Sequence, residues 1–217
     1  DLTDGAVVWS QNRGLSHAGD IQINASERLS LSGQITQGAM LSSMKSSTLG
    51  SGTAGNIEIN TPSLTVASGS SLGSRTFVGK GASGLVNIDA QQLLVDGYAA
   101  GFPQIFSRVG SFTGGEGNAS QVFINTDRLT STNGGYLGST SVLADGNGGD
   151  VNVVAKDIYV AGATPTGELS LLTSSSIAGG GNSGNLNIVT DRLSVLDSGS
   201  VLTSSFSDGA AGMIDIT

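Results

Sequence analysis

The sequence predicts an all-β protein, a three-sided parallel β-helix of about six coils alternating between 36 and 29 residues. Three observations predict it. Glycine is counted 34 times and only 12% of residues are charged. Glycine and the abundant Ser and Thr disfavour helix, because each costs helix free energy relative to Ala. A Gly followed two residues later by an apolar-x-apolar pair recurs along the whole chain. A second apolar pair with strand period follows each of these after a short polar stretch.

The first pairs are Ile21/Ile23, Ile57/Ile59, Val86/Ile88, Val122/Ile124, Val151/Val153, Leu186/Ile188 and Ile214/Ile216. Ser120 replaces the glycine before Val122. From Ile21 to Ile214 the successive spacings are 36, 29, 36, 29, 35 and 28 residues, so two coils form one super-repeat. Regular recurrence of this kind argues against disorder in a Gly/Ser-rich chain. The inward residues are mostly Ile and Val, whose branched side chains pack well on a pleated surface.

The second pairs are Leu29/Leu31, Leu64/Val66, Leu93/Val95, Leu129/Ser131, Ile158/Val160 and Leu193/Val195. A third run is centred on Leu41, Leu72, Phe106, Leu137, Leu171 and Leu202, with Val7 as its earliest member. The extra residues of the long coils fall between the second and third runs, at Gly33 to Ala39, Gly97 to Gln104 and Gly162 to Glu168. They are expected as loops along one edge. The 217 residues read as one solenoid segment that opens and closes inside coils without polar caps, which points to an internal fragment of a longer chain.

Charge and composition exclude several classes of function. The net charge is −8 and the nine Lys and Arg are scattered singly, so a nucleic-acid partner is not expected. No apolar run approaches the roughly 20 residues that span a bilayer, and membrane insertion is not expected either. There is no Cys and hence no thiolate chemistry or disulfide framework. The single His17 has no Cys or second His to complete a zinc site, and no nucleophile elbow accompanies the serines. No catalytic residue, metal or cofactor is assigned.

Stacked coils turn sequence columns into ladders. Glu27, Pro62, Gln91, Asp127, Lys156 and Asp191 form one; Arg28, Ser63, Gln92, Arg128, Asp157 and Arg192 form the next. Their alternating signs predict exposed ion ladders that set register more than stability. Asn24, Asn60, Asp89 and Asn125 form a third column, expected in a tight turn where Asn and Asp tolerate left-handed geometry. Asp145-Gly146-Asn147-Gly148-Gly149-Asp150 contains a single GxGxD. The calcium-binding solenoids need that motif in tandem, so a turn is the expectation, with calcium leaving stability unchanged. Ser30, Thr65, Leu94, Thr130, Tyr159 and Ser194 line one outer face, and a hydroxyl ladder of that kind raises ice binding as a reading.

The phrases Ala-Gly-Asn-Ile-Glu-Ile-Asn from Ala54, Gly-Asn-Leu-Asn-Ile-Val-Thr-Asp-Arg-Leu-Ser-Val from Gly184 and Ser-Gly-Ser-Val-Leu-Thr-Ser-Ser from Ser198 resemble the repeats of filamentous-haemagglutinin-like exoproteins. The similarity is strongest to cyanobacterial members and covers essentially the whole chain. It implies a right-handed parallel β-helix, export by two-partner secretion, an extracellular or cell-surface location, and a role in adhesion or surface structure. The secretion domain of that family is not recognisable in these residues. The expected function is therefore a non-catalytic structural or adhesive stalk. Its expected partners are copies of itself, or cell-surface or matrix components including glycans. A carbohydrate-binding or carbohydrate-cleaving β-helix is the alternative, with ice binding third. Partner contact is assigned to the edge loops at Tyr98, Phe102, Pro103, Thr164 and Thr166, because exposed aromatics are enriched at interfaces.

Overall fold

The computed structural model describes residues 1–33, 41–142, 145–206 and 208–217. Two extended parallel sheets carry the fold. The first contains β2 (Ile21–Asn24), β3 (Leu29–Leu31), β5 (Ile57–Ala67), β7 (Val86–Asp96), β11 (Val122–Thr132), β13 (Val151–Ala161), β15 (Leu186–Leu196) and β17 (Ile214–Ile216). Its order is β17-β15-β13-β11-β7-β5, after which β2 and β3 both pair with β5. The second contains β1 (Val7–Asn12), β4 (Ser43–Thr48), β6 (Ser71–Thr76), β10 (Arg108–Thr113), β12 (Tyr136–Ser141), β14 (Leu171–Ser176) and β16 (Ser200–Ser205), paired in that order. The chain alternates between the sheets, so each strand lies beside its counterpart from the preceding pass. The architecture is that of a β-solenoid-like repeat.

The apolar columns of the first sheet meet in register. Ile21, Ile57, Val86, Val122, Val151, Leu186 and Ile214 are successive partners, as are Ile23, Ile59, Ile88, Ile124, Val153, Ile188 and Ile216. All central members are buried, whereas Ile214 and Ile216 are exposed on the last strand of the stack. The polar turn expected between first and second runs is absent in five passes. There the two runs form one continuous 11-residue strand.

Those strands change faces without leaving the ladder. In β5 the buried positions are 57, 59 and 61, then 64 and 66, with two half-buried residues between. Pairing skips Pro62, Gln91, Asp127, Lys156 and Asp191, where the phase slips by one. A one-residue slip moves the following side chains to the other face, and so re-aims Leu64 and Val66 inward.

The second sheet corrects the placement of the third run. Its inward apolar column is Met44, Leu72, Val109, Leu137, Leu172 and Val201. Leu72 and Leu137 are where the spacing put them. Val7, Leu171 and Leu202 lie one position from the column, and Leu41 and Phe106 lie three residues before it. The reason is chemical: only one inward residue per strand is apolar here, and the next two are hydroxylated, as in Leu72, Ser74 and Thr76. A hydrophobic pattern has nothing to lock on to in such a strand.

Every buried polar side chain among the described residues is Ser or Thr. Ser74 shows why. Its Oγ donates to Gly55 O at 2.8 Å and accepts from Gly84 N at 2.7 Å, joining two consecutive passes through their motif glycines. Ser46, Ser111, Ser139 and Ser174 repeat this staple along the stack. Each satisfies a donor and an acceptor that a core cannot leave unpaired. The glycines are required by close approach: a Cβ on Gly84 would stand 2.2 Å from Gly55 O.

Candidate functional site

Three places present functional groups. They are the edge insertions, the outer face of the first sheet and the outer face of the second.

Of the insertions, Gly33 to Ala39 lies outside the described residues beyond Gly33, as does the third-run neighbour Met40. The second forms a small antiparallel hairpin of β8 (Tyr98–Ala99) and β9 (Phe102–Phe106), with Tyr98 opposite Phe106. Gly97 and Gly101 have φ of 72° and 80°, conformations open to glycine and strained for other residues. Phe102 is exposed, while Tyr98 and Pro103 are half-buried. The third insertion is closed by a bridge between Ala163 and Leu169, with the Thr164 and Thr166 hydroxyls bonded to Glu168 Oε2. The Thr164 hydroxyl, followed by that of Thr166, holds the Glu168 carboxyl below its usual range.

Thr164 corrects its assignment as a partner-facing residue. It is buried, because its methyl packs over Gly134 and its hydroxyl is spent inside the loop. Thr166 is exposed. A buried serine fastens each described insertion at its base. Ser107 Oγ donates to Asp96 O at 2.6 Å and accepts from Gly69 N at 2.9 Å. Ser170 does the same with Ala161 O and Gly134 N, and, outside these two insertions, Ser42 joins Ser32 O and Gly5 N in the same way.

On the outer face of the first sheet, Lys156 Nζ lies 2.7 Å from Asp127 Oδ1, and the Asp127 contact raises the lysine's pKa. Arg192 Nε donates to Asp157 Oδ1 at 2.7 Å. Arg128 is the Cα partner of Asp157, and Asp191 lies in the column of Lys156. Each carboxylate of these pairs is occupied by a cation at the surface, where ion pairs contribute about 0–1 kcal/mol. Arg192→Ala is accordingly expected to lower stability by less than about 1 kcal/mol, read as a urea midpoint shift. A loss of several times that size would show the ladder to be part of the core energetics.

Asn60, Asp89 and Asn125 lie within continuous strands and Asn24 ends β2, so none occupies the left-handed turn expected of it. The run of paired apolar residues on either side keeps the backbone extended there. Asn125 Nδ2 donates to Asp89 Oδ2 at 3.4 Å. The more regular amide ladder lies in the turns before the first sheet. Asn56 N donates to Asp20 Oδ1 and Leu85 N to Asn56 Oδ1, at 2.6 and 2.9 Å. Within the GxGxD segment, Asp145, Asn147 and Asp150 accept from the backbone N of Gly180, Asn182 and Asn185 at 2.7, 2.8 and 2.7 Å. Their oxygens join one pass to the next. His17 Nδ1 bonds Thr53 Oγ1 in another such turn. No group of three or more metal-ligating side chains occurs among the described residues.

The outer face of the second sheet holds what the sequence reading missed. Lys45, Arg75 and Arg108 lie on β4, β6 and β10, three adjacent strands. Each cation sits against an aromatic ring: Lys45 Nζ is 4.8 Å from the Trp9 centroid, Arg75 Cζ 4.4 Å from Phe77 and Arg108 Cζ 5.0 Å from Phe106. Burial and mutual repulsion lower the pKa of Lys45 and of Arg75, and burial lowers that of Arg108. Between the flanking columns runs a strip of Gly73, Gly110 and Gly138, paired strand to strand. Gly110 has φ 150°, and a Cβ there would meet Gly138 O at 1.8 Å. With no side chain on the strip, the Tyr136 ring lies along its own strand and its hydroxyl reaches Thr140 Oγ1. Phe106 and Phe112 pack on that ring at 5.8 Å each. Burial raises the Tyr136 pKa against the opposing pull of Thr140, Ser175 and Arg108.

Comparison with family models, with curated proteins and with solved structures finds no match. No helix among the described residues is long and apolar enough to cross a membrane.

Proposed function

We propose that this chain is a segment of a non-catalytic, extracellular or cell-surface stalk, a right-handed three-sided parallel β-helix of filamentous-haemagglutinin-like type. The phase slip at Pro62 and its counterparts supports a corner between two faces of the first sheet, with the second sheet as the third face. The observation that carries the functional reading is the repeated interior. Ile/Val columns and Ser staples run through successive passes, while loops and hydroxyl-rich faces point outward. Stacked passes of this kind make a stiff spacer whose repeats each contact only their neighbours. In this reading the edge loops, with Phe102 and Thr166 exposed, meet other copies or surface glycans and matrix components. Export by two-partner secretion belongs to the same reading and rests on the repeat resemblance alone.

Ice binding loses support because Leu94 and Tyr159 stand in register between the hydroxyls of Thr65, Thr130 and Ser194. The test shortens the insertions at Gly33 to Ala39, Gly97 to Gln104 and Gly162 to Glu168 to the length of the short coils. The expected result is an unchanged circular dichroism spectrum with weakened self-association by sedimentation and weakened retention on cell surfaces. A folded, shortened rod that assembles and adheres like the parent would move the contact surface to the flat faces.

A further inference from the structure

We propose that the outer face of the second sheet, centred on Arg75 and Arg108 with Lys45, Phe77, Phe106 and Tyr136, binds a linear carboxylate-bearing polysaccharide. This deepens the adhesive reading by naming a partner and a face, and it rests on that reading only for its biological setting. The chain carries −8 overall, yet three of its nine cations converge here. The ion pairs among the described residues engage Arg28, Lys80, Lys156 and Arg192, and none engages these three. Aromatic rings hold the three cations in place instead, an arrangement that orders a cation without cancelling its charge.

Arg75 Nε is buried with no hydrogen-bond partner, so this guanidinium is not satisfied by the described residues around it. A guanidinium presents parallel donors that match a carboxylate, and the match strengthens where water is partly excluded. The three cations lie on consecutive strands about 4.8 Å apart but at different levels, with Lys45 opposite Gly73, Arg75 opposite Phe112 and Arg108 opposite Ser71, so they form a cluster spread along and across the strands and suit a chain laid obliquely over the face. The buried glycine strip lets the aromatic side chains lie flat on the sheet, and the half-buried rings of Tyr136 and Phe106 offer apolar area beside the cations. A pyranose has both an apolar face and, in a uronic acid, one carboxylate per ring. A nucleic acid fits less well: duplex DNA carries one charge per about 1.7 Å, and stable binding neutralises several phosphates, more than three cations on an acidic chain provide.

The experiment measures retention and calorimetric affinity for polygalacturonate, for a neutral glucan of similar length and for single-stranded DNA. The parent and an Arg75→Gln/Arg108→Gln variant are compared. The expected result is binding of polygalacturonate alone, weakened by salt, and a loss of about tenfold or more in the variant at unchanged melting temperature. If the double variant does not fold, Lys45→Gln serves, with a smaller loss expected. Equal binding by parent and variant, equal binding of the neutral glucan, or tighter binding of DNA each overturns the proposal. Reducing-end analysis of the bound polysaccharide separates the two readings. Shortened chains would overturn the non-catalytic stalk and leave this site standing, whereas absence of binding would remove the site and leave the stalk.

Discussion

Ile124→Asp is expected to abolish the cooperative folding of this segment. Ile124 is 2% exposed and lies between Ile88 and Val153 in the inner column of the first sheet. A carboxylate there has apolar neighbours on both adjacent strands and no cation within the column. Burying an unpaired carboxyl costs several kcal/mol whether it stays ionised or takes up a proton, a large share of the roughly 5–15 kcal/mol by which domains are stable, so the strand is expected to leave the stack or the stack to open. Phe123→Asp is the matched control, because residue 123 points outward and is 37% exposed. The check is thermal unfolding followed by circular dichroism: the Phe123 variant should melt near the parent, and the Ile124 variant should show no sheet transition. A parent-like melt for Ile124→Asp would mean that the column is not the core.

The contrast between these neighbours explains what was legible in the sequence. A strand that buries Ile, Val and Leu at every second position advertises both its conformation and its register, and the pairs from Ile21 to Ile214 are partners in the structure. The join at Pro62 was misread as a turn because polar residues interrupt the apolar pattern there. Physically, an extended backbone tolerates a slip of phase while its neighbours continue the ladder. The second sheet was placed less well because Ser74 and Thr76, although buried, look like surface residues in any hydrophobic pattern. The cation cluster was missed for the same reason. Lys45, Arg75 and Arg108 appear isolated until the register of β4, β6 and β10 is fixed, and that register depends on recognising hydroxyls as core.

Hydroxyls as core lead to the second large effect, Ser74→Ala, which removes one atom from a strand that otherwise keeps its fit. The alanine fills the same space apart from the hydroxyl, so neither overpacking nor a sizeable cavity contributes. What changes is that Gly84 N loses its acceptor and Gly55 O loses its donor. Each orphaned buried group costs about 1–3 kcal/mol, and water cannot reach them beneath two passes of chain. Side-chain replacement from the glycines themselves is not open, since a Cβ on Gly84 would collide with Gly55 O. The expected loss is therefore about 2–6 kcal/mol, large against typical single substitutions. Ser71→Ala supplies the comparison: it lies on the same strand, is half-buried on the outer face, and should change stability by less than about 0.5 kcal/mol. Denaturant midpoints for the two variants decide the matter. Equal midpoints would show that the glycine amide and carbonyl find partners without the serine, and the staple would then be a consequence of the stacked passes and not a cause of their stability.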